Sequence, residues 1–387
     1  MDKKAEKIGI LTQYYGSRNY GGLLQAHALV RVLNEKGYKA EQICYVPHSV
    51  CLSQDDSSVT PKVPLIKRCF HALLRRIEHN RTARVFENRN ETLERFLQEI
   101  PHSDIVYTKE TIKEANRVYD GFVVGSDQIW NPRSLDTSFF LDFAEKDKKK
   151  IAYAASVCRD ELSATEKTVF AEGLKNLDAV SLRENCASLL QDLTDKPIEW
   201  VLDPTMLLPK EYWDTIACDR MIPGEYVLCY FLGDSKEQRK LAKNYAKDKR
   251  LLLVTMPHLA VGIEASDIGF GDKQMIDVSP EEFLSLIKHA SCVLTDSFHA
   301  TVFSLIFKKQ FFVFNRNKKD NMNSRIHSLV DLFDAGNRFC TSEEMACLNY
   351  IKSVPDHNYD VENLRFAEMA SKSTEYLLNI KEAKQAQ

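Results

Sequence analysis

The stretch ASCVLTDSFHATVFSLIFKKQFFVF, residues 290–314, predicts a strand, a polar turn, a helix and a second strand. Residues 291–295 are mostly apolar, as in a short buried strand, and the apolar residues of 302–307 form a helical run that ends at two lysines. Residues 311–314 are all apolar and predict the next strand. A helix between two such strands is typical of a parallel βαβ unit.

The polar turn of this unit, Asp296-Ser297-Phe298-His299-Ala300, lies where the first strand ends and the helix begins. The free backbone N–H groups and the dipole of a helix N-terminus favour an anion at this edge of a parallel sheet. A histidine there adds a side chain that can exchange a proton near neutral pH. The turn therefore predicts an anion site. The alternative is that Asp296 or Ser297 only caps the helix and that His299 is an ordinary surface residue.

The composition is that of an ordinary globular protein. The chain has 387 residues, 44% of them hydrophobic and 28% charged, with a net charge of -3. This length favours two domains, and this charge gives no reason to expect nucleic acid as a partner. Ten cysteines form no CxxC pair and no metal-ligand spacing, which favours reduced thiols. Without a signal-peptide pattern or an apolar run of transmembrane length, the sequence predicts a cytoplasmic protein.

Strand and helix patterns alternate along the chain in two successive sets. The first set opens with the strand 8–12, a glycine-bearing loop and a helix whose apolar residues recur over 23–33. The second set opens with the apolar strand 226–232. This alternation predicts an α/β fold of two doubly wound, Rossmann-like domains that face a cleft. The predicted units are an N-terminal domain at 1–207, a C-terminal domain at 208–350 and a helical tail at 351–387 that can pack back across both domains.

Residues 62–95 are unusually basic. They contain nine Lys or Arg and four Glu, with apolar residues at helical spacing over 63–77. A basic amphipathic helix can lie on an anionic membrane or bind a phosphate-bearing partner. The commoner arrangement is a helix that packs on its own domain and exposes its basic face. A peripheral contact with the inner face of the membrane is therefore the minor alternative for this stretch.

The sequence does not match the motifs of several common enzyme classes. Residues 16–21 have the glycine spacing of a P-loop, but Gly22 and Leu23 stand where Lys and Ser or Thr belong. The pair Gly269 and Gly271 lacks the third glycine of a dinucleotide loop. No HExxH, GxSxG or kinase signature is present. Hydride transfer, proteolysis and kinase chemistry therefore have no positive support.

Polar residues follow several predicted strands and supply a different set of candidates. Asp127 offers a carboxylate, Arg183 and Arg325 suit the paired recognition of carboxylate or phosphate, and Trp130 suits the apolar face of a sugar. Each has a structural alternative, since Arg183 and Glu184 could make only surface pairs, Trp130 could belong to the core and Asp127 could only cap a turn. The polar loops are 19–22, 125–131, 181–184, 296–299 and 323–326.

These loops, in this order, resemble the polysaccharide pyruvyl transferase family. The resemblance spans nearly the whole chain and preserves the order of the motifs. The matching stretches are KIGILTQYYGSRNYGGLLQAHAL (7–29), DGFVVGSDQIWNP (120–132), FLDFAEKDKKKIAYAASV (140–157), SLRENCASLL (181–190), VLDPTMLL (201–208), EEFLSLIKHASCVLTDSFHATVFSLIF (281–307) and NSRIHSLV (323–330).

The resemblance implies a two-domain enzyme of the GT-B glycosyltransferase type. It also implies that the enolpyruvyl group of phosphoenolpyruvate moves onto two hydroxyls of one sugar, leaving a pyruvate ketal and releasing phosphate. The family's donor site is associated with an Arg-aliphatic-His motif, which here is Ser297-Phe298-His299, with serine in place of the arginine. Arg325, Lys308 or Lys309 could supply the missing charge, and Arg183 matches a second arginine that the family uses.

Hypothetical roles follow from the resemblance. His299 is the acid or the partner of a phosphate proton, and Asp127 is the base or orients a hydroxyl. The expected donor-binding residues are Arg183, Ser297, Arg325 and Lys308. The expected acceptor-binding residues are Asn19, Tyr20, Gln128 and Trp130.

No metal-ligand cluster is visible, so we predict that neither a metal nor a cofactor is required and that phosphoenolpyruvate is a co-substrate. The expected acceptor is galactose or N-acetylmannosamine in a surface polysaccharide precursor, free or lipid-linked. Two alternatives stay open at this point. One is a glycosyltransferase that uses a nucleotide sugar, and the other is a non-catalytic glycan-binding protein.

Overall fold

A computed structural model describes residues 5–48, 87–259, 263–316, 324–361 and 363–378. Within these ranges the chain forms two parallel β-sheets with helices on their faces. The fold is therefore the α/β class that the alternating pattern predicts. Most of the basic stretch 62–95 lies outside the described residues, and only its end enters the helix over 87–99.

The first sheet has seven strands among the described residues, in the order β3-β2-β1-β4-β5-β6-β7. All neighbouring pairs in it are parallel. The order reverses between β1 and β4, whose carboxyl ends therefore flank a switch point. The bounds are β1 Lys7–Leu11, β2 Lys39–Tyr45, β3 His102–Tyr107, β4 Gly121–Val124, β5 Lys149–Ala155, β6 Ala179–Leu182 and β7 Ile198–Trp200.

The second sheet repeats this topology with six strands in the described part of the chain, in the order β10-β9-β8-β11-β12-β13. Its neighbouring pairs are also parallel, and its switch point lies between β8 and β11. The bounds are β8 Tyr226–Tyr230, β9 Leu252–Thr255, β10 Lys273–Gln274, β11 Cys292–Thr295, β12 Gln310–Phe314 and β13 Phe339–Cys340.

The helices cover both faces of the sheets. They are α1 Tyr20–Glu35, α2 at 87–99, α3 Ala164–Lys175, α4 Ser188–Gln191, α5 Lys210–Ile216, α6 Lys236–Lys249, α7 Pro280–Lys288, α8 Phe298–Ile306, α9 Ser324–Leu332, α10 Leu348–Ser353 and α11 Leu364–Leu378. Short 3-10 turns lie at Ile112–Arg117, Pro132–Ser134, Thr137–Phe140, Pro204–Leu207 and Gly336–Arg338. No helix among the described residues combines the length and the apolar character needed to cross a membrane.

The helix starts are encoded locally. Ser279 begins α7 with a capping box, in which its side chain accepts the N–H of Glu282 and the Glu282 side chain accepts the N–H of Ser279. Pro280 occupies the first position of this helix, where its missing N–H costs nothing. Short-range signals of this kind are the reason that the helix pattern can be read from the sequence.

The two halves pack directly on each other. The ring of Tyr20, at the start of α1, stacks on that of Phe283 in α7 with 4.9 Å between centroids. The last helix, α11, contacts the first half, where the Ser373 hydroxyl accepts the N–H of Leu202 at 2.9 Å. The Tyr376 hydroxyl donates to the carbonyl of Ala152, on β5, at 3.0 Å. These contacts bring the carboxyl ends of the two sheets together.

Candidate active site

A cavity of about 380 Å³ lies between the carboxyl ends of the two sheets. The first sheet contributes Gln13, after β1, and Asp127 with Gln128, after β4. The second sheet contributes the loops after four of its strands. Their lining residues are Leu232 after β8, Pro257, His258 and Leu259 after β9, Ser297 after β11 and Arg316 after β12. Both switch points therefore open into one cavity, where ligands of doubly wound sheets bind.

Two helix N-termini face this cavity from opposite halves. Asn19 caps α1 by accepting the N–H of Gly21 at 3.0 Å, and Ser297 caps α8 by accepting the N–H of Ala300 at 3.4 Å. Both capping residues line the cavity. Neither helix has an acidic residue in its first turn. The two dipoles therefore act together to favour an anion.

Charged side chains add to this positive potential. Among the described lining residues, four are arginines and one is a carboxylate, Asp127. Burial and the neighbouring charge of Arg316 lower the pKa of His258. The arginines are Arg18, Arg89, Arg316 and Arg325. This excess of cations suits a ligand with more than one negative charge.

His299 lies in the first turn of α8 and is 7% exposed. Its Nε2 atom lies 3.6 Å from the Oδ2 atom of Asp203 and has no hydrogen-bond partner among the described residues. Its Nδ1 atom lies against Gly21, where an added Cβ would approach to 2.0 Å. Glycine at this position of α1 lets the imidazole of α8 approach the helix backbone of the other half.

Gly21→Ala should therefore destabilise the protein, although alanine is the better helix former. We expect the free energy of unfolding to fall by about 1–3 kcal/mol because the methyl group overlaps the His299 ring. Gly22→Ala is the matched control, since its Cβ would meet no atom closer than Ser17 Oγ at 3.4 Å, and it should be neutral or stabilise by up to about 1 kcal/mol. Urea unfolding measures both. Equal stability of the two variants would contradict this packing.

Asp203 is the centre of a buried network behind His299. Its Oδ2 atom accepts from Arg183 at 3.1 Å and from the hydroxyl of Ser126 at 3.2 Å, and its Oδ1 atom accepts the N–H of Thr205 at 3.0 Å. Burial opposes ionisation of this carboxyl, but the nearby His299 side chain, the charge of Arg183 and the hydrogen bond from the Thr205 hydroxyl outweigh burial. They hold the pKa of Asp203 well below its usual range. Asp203 is thus a fixed negative charge that orients His299.

Arg183 joins Asp203 to the lining residue Asp127, whose Oδ1 atom lies 3.2 Å from Arg183 NH2. Its guanidinium also lies 4.2 Å from the ring centroid of Phe298. The Arg183 side chain is 1% exposed and does not line the cavity. The structure therefore corrects its predicted place at the donor. Arg183 positions Asp127 and Asp203 instead of facing a ligand.

Arg325, in the first turn of α9, does line the cavity and is 4% exposed. Within the described part of the chain its Nε atom has no hydrogen-bond partner, and its NH1 atom lies 4.0 Å from Cys158 Sγ. Beside it, burial raises the pKa of Glu184, which accepts a short hydrogen bond from Ser156. Arg325 is therefore a buried cation with free donor capacity at the wall of the cavity.

Two other predicted placements need correction. Trp130 is fully buried, stacks on Phe140 and donates its indole N–H to the carbonyl of Phe139 at 2.9 Å. It belongs to the core and is closed to a sugar. Lys308 follows the carboxyl end of α8, about 13 Å along the helix from its N-terminus. It therefore lies away from this cavity. The other predicted residues, Asn19, Tyr20, Gln128, Asp127, Ser297, His299 and Arg325, all line it.

Sequence reasoning missed several residues of the site. Asp203 stands in the quoted stretch 201–208, but nothing local shows that its side chain turns toward a histidine of the other half. Arg89 belongs to the basic stretch 62–95, and its Nε donates to the Tyr20 hydroxyl at 3.1 Å. Arg316 donates to the carbonyl of Asp296 at 3.3 Å. These contacts join residues that are far apart in the chain, so no regular spacing in the sequence indicates them.

The described residues contain no group of three or more His, Cys, Asp or Glu side chains placed to hold a metal ion. That no metal or cofactor is required stays a prediction.

Comparisons with known proteins bear on the family and on the fold. The family model described as polysaccharide pyruvyl transferase matches residues 19–318, which is most of the chain. A search of the curated proteins finds no match to this sequence.

Solved structures with the same fold cover almost the whole chain. A UDP-N-acetylglucosamine 2-epimerase from Rickettsia bellii is 12% identical, with a TM-score of 0.56 and coverage of 98% of this chain and 97% of that one. The Methanocaldococcus jannaschii UDP-GlcNAc 2-epimerase, in complex with UDP-GlcNAc and UDP, is 13% identical, with a TM-score of 0.54 and coverage of 97% and 99%. A glycosyltransferase from Rickettsia africae is 9% identical, with a TM-score of 0.50 and coverage of 99% and 97%. These likenesses confirm the predicted GT-B type of fold.

Proposed function

The chain belongs to the polysaccharide pyruvyl transferase family, and we propose that it transfers the enolpyruvyl group of phosphoenolpyruvate onto two hydroxyls of one sugar. The acceptor class that we propose is galactose or N-acetylmannosamine in a surface polysaccharide precursor. The observation that carries this proposal is the cavity in which two helix N-termini, four arginines and His299 meet one carboxylate. Phosphoenolpyruvate, with a phosphate and a carboxylate, fits that excess of positive charge.

The reaction balances as an addition followed by a displacement. A proton adds to C3 of phosphoenolpyruvate while C2 gains oxocarbenium character, and one sugar oxygen bonds to C2. A second sugar oxygen then bonds to C2 as the C2–O bond to phosphate breaks. Of the two hydroxyl protons, one balances the proton gained at C3 and the other leaves with phosphate. The product is a cyclic pyruvate ketal.

His299 is the group that we assign to the proton transfer. The carboxylate of Asp203 lies beside the Nε2 atom of His299, on the side away from the cavity. This contact fixes the orientation of the imidazole, as a catalytic histidine requires. Asp127, on the opposite wall and held by Arg183, is the candidate base for a sugar hydroxyl. The cavity residues Asn19, Tyr20 and Gln128 are the candidates for the acceptor.

Arg325 is the cation that we assign to the donor where the family arginine is replaced by Ser297. Its guanidinium lies 6.0 Å from the ring centroid of Phe298, the residue between Ser297 and His299. It therefore approaches the same helix turn from α9. Its free Nε hydrogen and the N–H groups at the start of α8 could share the phosphate and the carboxylate of the donor.

Asp296 opposes the alternative in which the donor is a nucleotide sugar. Nucleotides in doubly wound sheets bind at the switch point, which in the second sheet lies between β8 and β11. There the two carboxylate oxygens of Asp296 accept the N–H groups of Leu232 at 2.7 Å and of Gly233 at 2.8 Å. The N–H groups of Leu232 and Gly233 are therefore not available to a nucleotide phosphate. The start of α8 is left as the place where an anionic group of the donor meets free N–H groups.

The melting temperature of the purified protein tests the donor. Phosphoenolpyruvate at a hundred times its dissociation constant should stabilise the native state by about 2.7 kcal/mol and raise the melting temperature. UDP-galactose and GDP-mannose should leave it unchanged. Arg325→Gln should lose the response, whereas Arg31→Gln, an exposed variant on α1, should keep it. A rise with either nucleotide sugar and none with phosphoenolpyruvate would contradict the proposal.

A further inference from the structure

A second cavity, of about 830 Å³, lies at the carboxyl end of α8. We call it the α8–α11 cavity, after the two helices that form its walls with the connection between the sheets. Its interior is mainly apolar. The apolar residues that define it are Leu207, Leu305, Ile306, Phe333, Leu364 and Phe366. Its volume lies in the range of about 300–1,000 Å³ that is usual for sites of small molecules.

Cationic side chains dominate the charged part of the lining. Lys210, Lys308 and Arg365 line the cavity with one carboxylate, that of Asp334. Lys210 is bonded to Asp214, and Arg365 lies 3.2 Å from Asp334. The exposed Lys308 has no ion-pair partner in the described part of the chain. The cavity therefore combines an apolar interior with an unneutralised positive charge.

Within the described residues, large apolar side chains remain exposed at the mouth of the cavity, where Val361 is 68% and Leu364 69% exposed. An apolar molecule from outside the chain would cover them.

We propose that the α8–α11 cavity binds a single-chain anionic amphiphile, with the hydrocarbon chain among the apolar residues and the head group beside Lys308. Burial of a hydrocarbon chain among these apolar side chains favours binding in proportion to the length of the chain, and the charge at the rim selects an acidic head. This site lies one helix length from His299 and shares no residue with the first cavity. The inference is therefore independent of the reaction proposed above.

Isothermal titration of the full chain below the critical micelle concentration tests the site. Decanoate is the probe, 1-decanol has the same chain without the charge, and acetate has the charge without the chain. We expect saturable one-to-one binding of decanoate, at least tenfold weaker binding of decanol and none of acetate. Absence of saturable decanoate binding, or equal binding of decanoate and decanol, would overturn the proposal.

Three variants locate the bound probe. Lys308→Glu should weaken decanoate at least fivefold and leave decanol unchanged, because only the head group contacts this side chain. Ala370→Phe places a large side chain in the cavity from α11 and should abolish the binding of both decanoate and decanol. Lys240→Glu, an exposed reversal on α6, is the charge-matched control and should change neither. Equal loss of decanoate binding in the Lys308 and Lys240 variants would show that the probe binds elsewhere.

Discussion

Replacement of His299 by alanine should lower the turnover of pyruvyl transfer by about 10²–10⁴-fold, the usual contribution of a positioned acid or base. The reason is geometric, since the ring lines the cavity at the N-terminus of α8 while Asp203 fixes its Nε2 edge. Phosphate release from phosphoenolpyruvate in the presence of a sugar acceptor measures the turnover. Circular dichroism should show an unchanged fold.

The control for this variant is another histidine of the same half. His327 is exposed on α9 and packs against Phe339 with 4.7 Å between ring centroids. His327→Ala should therefore keep normal turnover. Near-normal turnover of His299→Ala would end the assignment of His299 to proton transfer, whatever its effect on stability.

Asp203→Ala should lower the free energy of unfolding by about 3–5 kcal/mol, the usual cost of removing one partner of a buried ion pair. The variant leaves the guanidinium of Arg183 buried with Asp127 alone and removes the acceptor of Ser126 and Thr205. Urea unfolding with an unchanged m-value measures the loss. If the free energy of unfolding falls by less than about 1 kcal/mol, the residues around Asp203 rearrange and compensate for the missing carboxylate.

A partly exposed ion pair provides the matched control. Asp214 bonds Lys210 and lies 2.8 Å from Lys288, but its side chain is 26% exposed. Because water already screens these charges, Asp214→Ala should cost no more than about 1 kcal/mol. The contrast between the two aspartates isolates the effect of burial.

The free energy of unfolding should also depend on pH through the ionisation of Asp203. The folded protein holds the pKa of Asp203 below its usual range, so below about pH 3.9, the ordinary value, the unfolded chain takes up the proton first. The contribution of Asp203 is therefore complete above that pH and is lost as the pH falls. Asp203→Ala should lack this part of the acid slope, which is at most about 1.4 kcal/mol per pH unit for one proton.

Much of the fold could be read from the sequence because its signals are local. Buried parallel strands appear as short apolar runs, and helices appear as apolar residues at helical spacing between caps. The loops that follow such strands must meet at one edge of a sheet, so the polar turns at 125–131 and 296–299 could be placed beside a cleft. Residues His299, Asp127 and Ser297 do line it. Their chemical roles stay predictions.

The direction of a side chain could not be read in this way. Trp130 follows a strand end, as Asp127 does, yet it turns into the core because Phe139 and Phe140 lie behind it. Lys308 stands in the same short helical stretch as His299, but a helix separates its two ends in space. The prediction placed Trp130 and Lys308 at the site because they stand close in sequence to Asp127 and His299, and for both residues this was wrong.

The amino-acid sequence by itself determined the two alternating sets of strands and helices and the polar turns at their strand ends, because these depend on backbone hydrogen bonding and local periodicity. Only the tertiary structure brought Asp203 to Ser126, 77 residues away, and to His299 in the other half. It also decided which arginines face the cavity and which serve the network behind it. Such pairings arise from the packing of distant segments, which leaves no regular spacing in the chain.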